Sequence, residues 1–68
     1  MAVKFHPGDL VRLNAFAIAH DKKNFNGRLF AMYTFPLRVI EQTGYVVKLD
    51  TKAPYKLLNE EWLEKAEP

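Results

Sequence analysis

No cysteine occurs in this chain of 68 residues, so neither a disulfide framework nor a thiolate metal site supplements its core. A chain this short buries only about 60% of the surface it exposes when unfolded. Every large apolar side chain therefore counts, and the fold stands on packing alone or on assembly with copies of itself. The hydrophobic fraction, 49%, suffices for a packed core and is too high for a disordered segment. One domain over residues 1–68 is the expected organisation, with no repeat or low-complexity segment.

The stretch from Val3 to Leu13 is the most informative. Pro7-Gly8-Asp9 is turn chemistry: Pro fixes φ, Gly takes a conformation other residues resist, and Asp bonds to nearby backbone. Leu10 to Leu13 then starts a strand, with Val11 and Leu13 on one face and Leu10 and Arg12 on the other. Apolar residues on both faces predict a strand curling within a small barrel. Asn14 to His20 carries two opposed signals: three alanines favour helix, whereas Phe16 and Ile18 at period two favour a continued strand. Residues 21–28, from Asp21 to Arg28, read as a polar loop with two Asn and a Gly suited to positive φ.

Regular alternation resumes later. Phe35 to Glu41 reads as a strand with Pro36 near its start, Gln42-Thr43-Gly44 as a turn, and Tyr45 to Asp50 as the returning strand. Tyr45, Val47 and Leu49 would share one face, with Lys48 and Asp50 on the other. Thr51 to Pro54 turns the chain again, and Tyr55 to Leu58 is a further short strand. Asn59 caps a single helical turn through Leu63, with Glu60 and Glu61 well placed at its N-terminus. Glu64 to Pro68 is either the end of that turn or a last short strand. The expected fold is all-β: a small antiparallel barrel of about five strands, with a long first loop and a one-turn helix before the last strand.

Several classes of function find no support. No apolar run approaches the roughly 20 residues of a membrane span, and the N-terminus does not read as a signal peptide. Serine is absent as well as cysteine, and His6 and His20 fall in different elements. His6 beside Asp9 reads as part of the turn. Glu60, Glu61, Glu64 and Glu67 include pairs at helical spacing, but solvated carboxylates lack the separated pKa values that acid–base chemistry needs. Three isolated glycines build no phosphate cradle. The chain thus reads as a binding domain without catalytic residues, metal or cofactor.

The net charge of +2 conceals an asymmetry, +5 over residues 1–56 against −3 over residues 57–68. The basic residues are scattered singly, as on a solvated mixed surface. Rings, amides and an arginine concentrate in and after the first loop, from Phe25 to Phe35. Flat rings stack on sugar faces or bases, while amides and Arg donate to acetamido or carboxylate groups. The expected ligand-binding residues are Phe25, Asn26, Arg28, Phe30, Tyr33 and Trp62. A barrel this small also needs aromatics in its core, so about half of Phe30, Met32 and Tyr33 are expected to be buried. Leu63 is the expected core residue of the terminal pair, with Trp62 at the rim. Phe16 and Ile18, on the face away from Val11 and Leu13, form a candidate subunit contact unless a bulge turns them inward.

Phe5 to Leu13 with its Gly8-Asp9-Leu10-Val11, the long first loop, the Phe35–Leu49 hairpin and the Leu58–Leu63 turn resemble an SH3-like barrel over nearly the whole chain. Within that class the arrangement looks most like the C-terminal wall-binding domains of Gram-positive phage endolysins. The carrying residues are Gly8-Asp9-Leu10-Val11, the Phe25–Tyr33 segment, Leu37-Arg38-Val39 and Trp62-Leu63. One departure is that the single tryptophan lies near the end, whereas many such domains carry one in the loop. The resemblance implies a peptidoglycan-targeting module that acts at the bacterial cell wall. Its partners would be a Gram-positive wall polymer and an associated catalytic domain or full-length endolysin, with self-assembly adding avidity. Similar barrels also bind nucleic acid, and the rival reading uses Lys22, Lys23, Arg28, Lys48 and Lys52 on phosphates. A small structural subunit of a larger complex is the third reading.

Overall fold

The computed structural model describes residues 3–66. Strand β1 (Leu10–Leu13) is followed by helix α1 (Ala15–Phe25), then by β2 (Leu37–Thr43), β3 (Val46–Asp50) and β4 (Leu57–Asn59). A one-turn 3-10 helix, Glu60–Trp62, leads into β5 (Leu63–Lys65). The five strands form one antiparallel sheet in the order β4-β3-β2-β1-β5. The sheet is not closed: β4 and β5 are its two edges, with no ladder joining them among the described residues. The barrel expected from the sequence is thus an antiparallel five-stranded sheet accompanied by a helix.

The first turn forms as its residues dictate. The His6 N–H donates to Asp9 Oδ2 at 3.0 Å, and Gly8 adopts φ +94°. Gly8 N–H donates to Val39 O and Val39 N–H to Asp9 O, at 2.9 and 2.8 Å, which fixes the turn onto β2. From there β1 places Val11 inward, fully buried, with Leu13 half-buried on the same face.

The first excursion departs most from the sequence reading. Residues 21–28 are not simply a loop, because α1 takes up the stretch from Ala15 to Phe25. The alanines outweigh the period-two pair. Asn14 supplies the N-cap, its Oδ1 accepting from the Ala17 N–H at 2.9 Å. Lys22, Lys23 and Asn24, which suggested a loop, are exposed on the helix, and Asn26 at φ +53° ends it in the left-handed conformation that Asn tolerates.

Asp21 binds the connection back onto the helix. Its carboxylate is buried and accepts from the Leu29 N–H at 2.8 Å and the Phe30 N–H at 3.3 Å. Its backbone carbonyl accepts from Gly27 N–H. Asp21→Ala leaves those amides without acceptors in a region shielded from water and is expected to cost about 2–3 kcal/mol. Urea unfolding checks this; a loss below about 0.5 kcal/mol would mean that water replaces the carboxylate freely.

The hairpin also differs in detail. β2 continues through Thr43 and the turn is Gly44-Tyr45, with Gly44 at φ +59°. Tyr45 consequently stands on the turn, 67% exposed, rather than on the inner face with Val47 and Leu49. A register shift between Val39 and Glu41 leaves Ile40 as the extra residue of a bulge. The half-buried Gln42 then ties three segments together. It accepts from the Phe5 N–H, and its amide donates to Gly44 O and to Glu60 Oε1.

Phe5, Val11, Val39, Val47, Leu49 and Leu63 form the core, with Leu13, Phe35, Leu37 and Leu58 packed against it. Leu63 is fully buried and Trp62 stays at the rim, half-buried, as their adjacency required. Glu64 and Lys65 lie in β5; Glu67 and Pro68 fall outside the described residues. No helix among the described residues is long and apolar enough to cross a membrane.

Candidate binding ridge

α1 and the 3-10 turn meet beside the sheet, and the residues that join them are polar. Asn14, besides capping α1, donates from Nδ2 to Glu61 O at 2.7 Å, while its own N–H donates to Trp62 O. Asn59 caps the 3-10 turn by accepting from the Glu61 N–H. This double capping sets Trp62 against the side of α1.

The result is a continuous row of rings. His20 lies 6.1 Å from Phe16 and near-parallel to it, 5.9 Å from Phe25, and 5.8 Å from Trp62, centroid to centroid. Trp62 meets Phe30 edge to face at 5.1 Å and 89°, a favoured aromatic geometry. The row continues from Phe30 to Tyr33 and from Tyr33 to Phe35. A groove of about 260 Å³ opens along it, lined by Phe16, Ala19, His20, Lys23 and Asn24.

The expected binding residues divide within this row. Phe25, 44% exposed, and Arg28 face solvent, and Asn26 stands between them at the end of α1. Phe30 is buried, so it supports Trp62 from beneath and presents no face of its own. Tyr33 is half-buried and its hydroxyl donates to Tyr55 O. Burial first, and the nearby Tyr55 phenol second, hold the Tyr33 hydroxyl above its ordinary pKa, so it stays a neutral donor well into the alkaline range. Met32 is exposed. Phe16 and Ile18 are 61% and 56% exposed, now on a helix rather than a strand.

His20 is the residue that sequence reasoning left out of the site. Its ring bridges Phe25 to Trp62, and Asn24 holds it through its amide at Nδ1 and at the backbone carbonyl. The i, i+4 spacing of Phe16, His20 and Asn24 carries that signal once the segment is read as a helix.

The charges around the ridge are of both signs. Lys22, Lys23 and Arg28 cluster at the C-terminal end of α1, and the ion pairs among the described residues, Arg12–Glu64 at 2.8 Å and Lys65–Asp9 at 4.0 Å, involve none of them. Glu61 precedes Trp62 in the 3-10 turn, near the first turn of α1, whereas Glu64 is paired with Arg12. Lys48 and Lys52 are elsewhere, on β3 with Glu41 opposite Lys48 and in the turn that follows. No group of three or more His, Asp or Glu side chains gathers among the described residues. A second groove, about 480 Å³, lies between β1 and the start of β2 and is lined by Leu13, Ile18, Phe35 and Pro36 with Arg12 and Ala66.

Comparison with protein-family models, curated proteins and solved structures found no match to this chain.

Proposed function

We propose that this chain is a non-catalytic binding module whose ridge takes a glycan-bearing polymer of the Gram-positive cell wall, serving to hold an associated hydrolase there. The observation that carries the reading is the ridge itself: exposed and half-exposed rings in a row, with donors beside Phe25 and the Glu61 carboxylate beside Trp62. Sugars need both. Their apolar faces stack on rings, while their hydroxyls donate to carboxylates such as Glu61 and accept from Asn26 and Arg28. A phosphate backbone crossing the same ridge would meet the Glu61 carboxylate beside Trp62, which weakens the nucleic-acid reading.

Chain geometry supports an SH3-like, barrel-like curl. Four Cα steps from Asn59 to Leu63 span at most about 15 Å. Five flat strands would hold their outer members about 19 Å apart. Because β4 and β5 are the two edges and only the 3-10 turn separates them in sequence, a sheet that curves enough to fit that span supports the reading. The early excursion, the central hairpin and the turn before the last strand fall in the order the resemblance requires.

Co-sedimentation with purified Gram-positive walls, beside DNA and RNA binding over a salt series, tests the function. Pelleting with walls is expected to survive moderate salt, and Phe25→Ala or Arg28→Ala to lower it about five- to tenfold, in line with one lost stacking or charge-assisted contact. Salt-sensitive binding to nucleic acid without pelleting would transfer the function to the lysines. Neither activity would leave the structural-subunit reading.

A further inference from the structure

We infer that the outward side of α1 is a self-association surface, through which two copies of this chain pair antiparallel about a two-fold axis. α1 buries only Ala17 and Asp21. On its solvent side stand Ala15, Phe16, Ile18 and Ala19, all exposed, with the two large side chains 61% and 56% accessible. A surface helix of a monomer places polar residues there instead. Ala15 and Ala19, at i and i+4, lie in one line between Phe16 and Ile18, so a second helix approaches closely along that line.

The charges choose the occupant. Lys22 and Lys23 occupy the last turn of α1 and belong to neither ion pair of the described residues. At the first turn stands Glu61, exposed and held beside the helix by the bond from Asn14 to its carbonyl. The strip is therefore apolar in the middle, basic at one end and acidic at the other. Such a strip complements a reversed copy of itself, which is the requirement of a two-fold interface. An axis beside Ala19 sets Ala19 against Ala19 and Phe16 against the aliphatic stem of Lys23, whose ammonium lies toward Glu61 of the second copy, while Lys22 runs beside Ala15. A parallel arrangement would instead put lysines against lysines.

An eleven-residue helix is only about 16 Å long, so the interface sits at the small, weak end of the range. Phe16, Ala19 and Lys23 also line the groove along the ring row, so this pairing competes with a ligand seated in that groove and is tested on the chain alone. Sedimentation equilibrium of the full chain from about 10 μM to about 1 mM tests it. The apparent mass is expected to rise from 7.9 kDa toward twice that value across the series. Ile18→Glu, at an exposed position, is expected to stay monomeric throughout while keeping the wild-type far-ultraviolet spectrum. Lys23→Glu should weaken association at least tenfold, and Lys23→Glu combined with Glu61→Lys should restore it, because the swap rebuilds the cross-copy pair. A wild-type chain that stays monomeric over the whole range overturns the inference. So does dimerisation that Ile18→Glu leaves unchanged, or a charge swap that fails to rescue, since that removes the antiparallel register.

Discussion

Leu63→Ala is expected to remove about 3 kcal/mol of stability, the largest effect of any single substitution considered for the fold. Leu63 is fully buried, starts β5 opposite Leu13, and packs with Phe5, Val11, Val39, Val47 and Leu49. Its truncation leaves a cavity at the junction of the edge strand and the 3-10 turn, where the short β5 holds few other contacts to close it. A domain of this size has a total stability of roughly 3–10 kcal/mol, so the loss is a third of it or more. Urea titration should show the midpoint falling with an unchanged slope. Leu57→Ala serves as the control: Leu57 is 58% exposed on β4 and its loss should fall within about 0.5 kcal/mol. Similar losses for the two variants would mean that the sheet does not close over Leu63.

Much of this core could be read from residue order. Alternation in Val47 and Leu49, the turn chemistry of Pro7-Gly8-Asp9, and the placement of Asn59 before two acids each have one structural solution, and the structure adopts it. α1 was harder to read because two local signals compete over residues 14–20, and the deciding contacts lie far away in sequence. Asn14 caps the helix and at the same time bonds to Glu61, a partner 47 residues on. Asp21 looks like loop material until its carboxylate is seen to serve Leu29 and Phe30. The reach of β2 to Thr43 follows from pairing with β3, whereas Gln42-Thr43-Gly44 alone resembles a turn.

The candidate site was legible as composition and not as assembly. Phe25, Arg28 and Trp62 stood out because rings and charged side chains in a polar context attract notice. That Trp62 joins Phe25 through His20 depends on α1 being a helix docked on the 3-10 turn. Strand alternation put Phe16 and Ile18 either outside the sheet or, through a bulge, inside it. They are exposed on a helix, so the outer placement agrees while the geometry that exposes them does not.

Trp62→Ala is expected to lower retention on cell walls by at least tenfold, about 1.4 kcal/mol or more, because it removes the middle of the ring row. The indole both offers stacking area and fixes its neighbours: His20 rests 5.8 Å away and Phe30 meets it edge-on. Its removal also uncovers the buried Phe30, so stability must be measured alongside binding. Trp62→Phe separates the two effects, since a smaller ring keeps the edge contact with Phe30 and gives up part of the stacking face. Intermediate retention at near-normal urea midpoint is the expected result for that variant. The wild-type protein supplies an independent readout, because Trp62 is its one tryptophan and its emission reports on the ridge alone. Soluble wall fragments that occupy the ridge should shift that emission to shorter wavelength as water is displaced from the indole. Fragments that bind by sedimentation yet leave the emission unchanged would place the ligand elsewhere, with the groove between Leu13 and Phe35 the next surface to test.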